Sequence, residues 1–276
     1  MSFFFLEYLK MKVIFFQLWS FINLVAGDYH NDNEATIDMK LTPEQEQWFF
    51  TPQEKITNDM LTKGVDATIA KWYQYYDMEN QIYKIPILVN SDDYQEWQLP
   101  ILWSNLLWTR RQYQLYTNIR IIFIDPAQAE KTFKQGYINL FNRGNCWSYV
   151  GNLYPQYDMN SQDMDVGWCY KYRGSILHET LHALGFVHEH MRYDRDKYIN
   201  VGSSDSANCA AFREGSLDVS GTPYDLDSIL HYPVGTGCKI TLKNPEKYPG
   251  KKIGQRERLS KLDIIEINTI YPKELL

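Results

Sequence analysis

The stretch HETLHALGFVHEHMRYDRD, residues 178–196, holds four of the chain's six histidines. On a helix, His178 and His182 stand four residues apart, so both imidazoles leave from one face. Gly185 can adopt a left-handed backbone and end that helix. The chain then turns and brings His188 to the same point. Three imidazoles on one metal leave a fourth position open, which is the pattern of catalytic zinc and not of a closed structural site. The expected cofactor is Zn2+, one per chain. Glu179, next to His178, is placed to act as a general base without ligating the metal. Two surface histidines on an ordinary helix would explain a bare H-E-x-x-H. The glycine and third histidine at fixed offsets make the longer pattern far more specific.

The 276 residues are 44% hydrophobic and 15% aromatic, enough for a sizeable core and unlike a disordered chain. A net charge of -6 argues against a nucleic-acid protein, which would carry a basic face. Near the N-terminus, Met11-Lys12 precedes VIFFQLWSFINLVAG, residues 13–27. A lysine followed by a short apolar run with small residues at its end reads as a secretory signal peptide over 1–27, or as an uncleaved signal anchor. The run is short for a membrane span, and stable membrane association is not expected. Export to the extracellular space makes disulfides the default for Cys146, Cys169, Cys209 and Cys238, with connectivity open on spacing alone.

Residues 28–66 are polar and acidic and read as a propeptide, with Thr42-Pro43-Glu44-Gln45 as a helix start. The denser remainder, 67–276, reads as the catalytic domain. Strands are expected at 83–89, 118–125 and 137–141, and helices at 92–111 (interrupted by Pro100), 174–184 and 261–270.

The extended histidine motif resembles the metzincin clan, and the residues around it resemble its astacin family of zinc metalloendopeptidases. The matching residues are Glu189-His190, Arg192 and Asp194-Arg195-Asp196 after the third histidine, Pro223-Tyr224-Asp225, Ser228 to Tyr232, 144–151 (GNCWSYVG), 253–256 (IGQR), and Leu259, Ser260 and Asp263. The resemblance implies an α+β, two-subdomain fold. A twisted mixed sheet and the active-site helix would lie above the cleft, and a mostly irregular lower subdomain with a C-terminal helix below it.

The resemblance also implies roles. Tyr232 matches the tyrosine that ligates zinc at rest and then stabilises the oxyanion. Glu189 matches the anchor of the mature N-terminus. Arg256 matches the basic residue that favours an acidic substrate side chain just after the scissile bond. Asp38 matches the aspartate that silences the zymogen, although the Phe and Gly usual before it are Ala35 and Ile37. Cys146–Cys169 matches a family disulfide. The family's other bridge lacks its cysteine at Asn118 and at the C-terminal end, which leaves Cys209–Cys238 as a pair. Leu230 replaces the clan's methionine below the metal, a swap near in volume and polarity.

The expectation is a secreted, monomeric protease made as a zymogen and cut near Asp66-Ala67, acting on protein or peptide substrates. Leu230 and the unusual 152–168 segment leave room for a second reading, a weak or inactive zinc-binding relative that works as an interaction protein.

Overall fold

The computed structural model describes residues 38–55, 69–157, 159–202, 207–216, 221–235 and 238–274, which fall in one compact unit, Glu34–Leu276. The signal-peptide reading of 1–27 and the cut at Asp66-Ala67 lie outside the described residues. Seven strands make the main sheet: β1 (Met39–Lys40), β2 (Tyr76–Asp77), β3 (Ile82–Val89), β4 (Ile119–Ile124), β5 (Tyr137–Phe141), β6 (Cys146–Tyr149) and β7 (Ser161–Val166). The helices used below are α1 (Pro43–Phe50), α2 (Leu99–Tyr116), α3 (Pro126–Lys131), α4 (Arg173–Ala183) and α5 (Lys261–Ile270).

The apolar run of β3 pairs in parallel with β4 on one side and β5 on the other, and β5 pairs in parallel with β7. β6 runs antiparallel to β7, and β1 joins in parallel outside β6. The result is a mixed sheet whose edge is closed by a residue pair from the N-terminal region. Its core side, through Ile85, Ile87, Ile121, Ile138 and Met164, packs against Leu102 and Leu106 of α2 and Ile176, Leu177 and Leu181 of α4.

α2 differs from the expected helix over 92–111. Ser91–Asp93 is a separate 3-10 turn, and α2 begins at Leu99 with Pro100 in its first turn. There the missing N–H has no intrahelical partner to lose, so proline starts the helix and does not interrupt it. The helix buries Leu102, Leu106, Thr109 and Tyr113, whereas Trp97 is 65% and Ile101 40% exposed. β6, β7 and α3 have no counterpart among the expected elements; the sequence SQDMDV of β7, for one, carries little apolar signal.

α1 follows its sequence signal. Thr42 caps it, with Gln45 Oε1 accepting from Thr42 N (3.0 Å) and Thr42 Oγ1 from Gln45 N (3.3 Å). Its Phe49 packs on Phe212 with ring centroids 4.7 Å apart, in a cluster with Met39, Val150, Val187 and Met191. The N-terminal segment is thus folded onto the rest of the unit.

The region after α4 is mostly turns, with a short antiparallel pair, β8 (Ile199–Asn200) and β9 (Thr241–Leu242). It carries a small core of Ile199, Tyr224, Leu226, Ile240 and Ile253. Cys146 is bonded to Cys169 and Cys209 to Cys238. The second bridge spans 29 residues in a region short of regular structure. Replacing Cys209 and Cys238 together by alanine should lower stability by about 3–4 kcal/mol in the chain-entropy account. Denaturant unfolding at an unchanged midpoint would contradict this.

Candidate active site

α4 carries the first two histidines, with no capping side chain and with Gly174 in its first turn. A Cβ at Gly174 would stand 1.8 Å from the Arg256 carbonyl oxygen, so only glycine lets the helix start approach the 253–256 loop. At the other end the Gly185 N–H donates to the His182 carbonyl (2.8 Å) and the Phe186 N–H to the Leu181 carbonyl (3.2 Å). Gly185 has φ +96°. This pairing is a Schellman stop, and it needs a left-handed residue at that place. The turn carries the chain back to His188.

The three side chains meet. His182 Nε2 lies 3.0 Å from His178 Nε2 and 3.1 Å from His188 Nε2. All three residues are essentially excluded from solvent. His178 Nδ1 stands 2.7 Å from the Ile229 carbonyl and His182 Nδ1 2.7 Å from the Phe186 carbonyl. A carbonyl oxygen only accepts, so in both rings Nδ1 carries the proton and Nε2 presents a lone pair. Burial lowers His178 to about 4 and holds His182 well below the usual imidazole range. Buried neutral imidazoles whose lone pairs face one another at this distance repel unless a cation lies between them. The donor set fits zinc.

Asp38 completes the group: its carboxylate and the three imidazoles place ligand atoms within 4.8 Å of one another. Asp38 Oδ1 is 3.1 Å from His188 Nε2, and Oδ2 is 3.4 Å from His178 Nε2. The Tyr232 hydroxyl donates to Asp38 Oδ1 at 2.6 Å. Tyr232 therefore meets the inserted carboxylate, where the family pattern suggests that it meets the metal. Burial keeps its phenol protonated, and its ring stacks on His190 at 4.2 Å.

Glu179 is 2% exposed, and its Oε2 has no hydrogen-bond partner among the described residues. Burial first, and then the charge of Asp38, push its carboxyl well above the usual range. Glu189 is buried and accepts from Asp225 N (2.6 Å) and from Arg192 (3.3 Å). Arg256 Nη1 donates to the carbonyls of Ile229 (2.9 Å), His231 (3.1 Å) and Gln255 (3.0 Å), which binds it to the turn beneath the site.

That turn, Ser228–Leu230, has a support that the motif match does not assign. Asp263 in the first turn of α5 accepts from Ser228 Oγ (2.7 Å) and Ile229 N (3.1 Å), while also accepting from Ser260 N (2.7 Å). Burial raises its carboxyl to about 6. Leu230 is buried, with its N–H on Ser228 Oγ (3.0 Å) and its carbonyl accepting from Glu189 N (3.2 Å). The chain Asp263–Ser228–Ile229–His178 thus links the C-terminal helix to the first histidine of the cluster. His190 and His231 hold the Asn208 carbonyl and the Tyr224 hydroxyl and stay outside the ligand set.

Residues 108–272 match the family model of the Astacin peptidases. Protein SpAN of Strongylocentrotus purpuratus is 37% identical over 163 residues, 56% of this chain and 26% of its own length. Low choriolytic enzyme of Oryzias latipes is 32% identical over 197 residues, 70% of this chain and 66% of its own. Among solved structures, High choriolytic enzyme 1, a hatching enzyme zinc-protease from Oryzias latipes, superposes with a TM-score of 0.55 at 26% identity. That match covers 70% of this chain and 90% of the hatching enzyme. The chain thus spans about a quarter of SpAN and just under two thirds of the low choriolytic enzyme.

Asp263→Ala should strip acceptors from Ser228, Ile229 and Ser260 together and cost about 3 kcal/mol or more. It should also weaken zinc retention through the Ile229 carbonyl. Unchanged melting and unchanged zinc affinity would contradict the proposed support.

Proposed function

The chain belongs to the astacin family of metallopeptidases, and on that premise we propose that it is a zinc-dependent endopeptidase held latent by its own N-terminal segment. The observation that carries the reading is the convergence of the Nε2 atoms of His178, His182 and His188, with the buried Glu179 one residue from the first. Bound zinc supplies Lewis-acid polarisation of the scissile carbonyl and acidifies a water to a pKa near 7.

The residues of the chain do the rest. Glu179 takes the proton from the attacking water at a carboxylate oxygen and passes it to the leaving amine. Tyr232 keeps its proton and donates to the oxyanion once Asp38 has gone. His178 and His182 are held in one tautomer by the Ile229 and Phe186 carbonyls, so the ligand set needs no rearrangement during turnover.

Latency follows from Asp38, whose carboxylate occupies the place a substrate carbonyl and water would need. Its support is the 2.6 Å bond from Tyr232 and the approach to His178 and His188. Removal of residues 1–66 would free the site and present a new N-terminus to Glu189. The 13–27 run supports export to the extracellular space, and no helix among the described residues is long and apolar enough to cross a membrane. The substrates are proteins or peptides, met by a single copy of the chain. Arg256, beside the turn under the metal, supports a preference for Asp or Glu just after the cut.

Two measurements test this. Glu179→Gln should keep zinc and fold while cleavage of an unfolded protein falls about 10²–10⁴-fold; retained activity would remove Glu179 as the base, and a zinc-loaded wild type that cleaves nothing would favour the interaction-protein reading. Arg256→Ala should abolish an acidic bias after the scissile bond in a peptide library. A wild type without that bias would overturn the preference.

A further inference from the structure

The outer edge of β6 is covered by β1. Ser148 N donates to the Asp38 carbonyl (2.9 Å) and Val150 N to the Lys40 carbonyl (3.2 Å). If the N-terminal segment leaves, these donors lie along an open sheet edge, where an extended peptide can add as a strand.

One face of that edge is chemically distinctive. Side chains alternate along a strand, so Trp147 and Tyr149 share a face. The two aromatic rings stand edge to face, 5.4 Å apart. The β6–β7 register sets Trp147 opposite Asp165, and Asp163 follows on the same face of β7. Lys40 lies in register with Tyr149. Its ammonium sits 3.2 Å from the centre of the Trp147 ring and 6.0 Å from that of Tyr149. Burial lowers the Lys40 pKa, while Asp163 and Asp165 act in the opposite direction.

The carboxylates are fixed before any cation arrives. Asp165 Oδ1 accepts from Gly167 N (2.9 Å) and Arg143 N (3.1 Å), and Oδ2 from Asn145 N (3.3 Å). Asp163 Oδ1 accepts from Asn139 Nδ2 (3.1 Å). The guanidinium of Arg143 is seated over Phe141 at 4.5 Å. An aromatic face backed by two held carboxylates, on a partly desolvated sheet edge, is the arrangement that selects a cationic side chain over a neutral one of equal length.

We propose that Trp147, Tyr149, Asp163 and Asp165 form a substrate subsite for a lysine or arginine side chain, which Lys40 fills while the chain is latent. The proposal rests on the metallopeptidase reading above. Lys40 is two residues from Asp38, whose carboxylate lies beside the histidine Nε2 atoms, so the substrate cation belongs two or three residues from the scissile bond. The same side chain would anchor the N-terminal segment and hold the subsite closed. β7, with Asp163 and Asp165, belongs to the 152–168 segment that departs from the family pattern, whereas Trp147 and Tyr149 lie in the matching 144–151 stretch.

The test uses the zinc-loaded full chain carrying Glu179→Gln, cut between Lys55 and Ile69 by limited proteolysis. Binding is measured for peptides that place Arg, Lys, Gln or Met at the positions two and three residues from the intended cleavage point. At one of these positions, Arg and Lys peptides should bind at least tenfold more tightly than Gln and Met peptides. That difference should shrink to less than threefold in Asp163→Asn and in Trp147→Leu, and the Gln peptide should bind each variant as it binds the parent. Equal binding of Arg and Gln peptides would overturn the subsite, as would a preference indifferent to Asp163→Asn. Asp163 is partly exposed, so its variant remains informative if Trp147→Leu does not fold. Because binding is read without turnover, a wild type that cleaves none of these peptides counts against the peptidase reading, while the affinities alone decide the subsite.

Discussion

Three imidazole nitrogens brought to one point in a dry interior make a donor set for a cation. The Nε2 atoms of His178, His182 and His188 are held at 3.0 and 3.1 Å, and the surrounding structure serves that approach. Helical spacing brings two of the rings together, and the left-handed Gly185 returns the chain with the third. The Ile229 and Phe186 carbonyls fix the protons on the far side of two rings. Asp263 holds Ser228 and Ile229, so the helix at the C-terminal end reaches the first histidine of the cluster through two hydrogen-bonded steps.

The N-terminal segment exploits the same frame. Asp38 adds a carboxylate to the ligand group, Tyr232 bonds to it, and Lys40 occupies the aromatic and acidic corner two residues further on. Behind them α1 packs through Phe49 against Phe212, and Gln45 Nε2 donates to the Val150 carbonyl (3.2 Å). The approach of Asp38 to the histidines, strand pairing and side-chain packing act together, so no single contact has to hold the segment. The parallel pairing of β1 with β6 occupies the Ser148 and Val150 N–H groups along the sheet edge.

The histidine cluster, Glu179 and the helix that carries them are legible in the sequence because metal chemistry and helical periodicity leave fixed spacings. β5 and α5 are legible from apolar pattern, α1 from its cap, and the two disulfides from the resemblance and the cysteines left over. β7 is not, because Asp163 and Asp165 lie where apolar residues normally mark a strand, and Asp165 takes its partners from backbone N–H groups. The same applies to the carbonyls of Ile229 and Phe186, since any residue supplies a carbonyl. Pro100 misleads because its position in the first turn depends on where the helix begins. Arg256 is placed beside the site by its match, while its attachment to the turn's carbonyls depends on geometry that spacing does not encode.

The most direct measurement is zinc K-edge absorption spectroscopy on the full chain, with Asp38→Ala beside it. The account predicts one zinc per chain with three imidazole nitrogens and a carboxylate oxygen, and replacement of that carboxylate by water in the variant. A chain that folds without retaining zinc, or a ligand shell that is the same with and without Asp38, would contradict it.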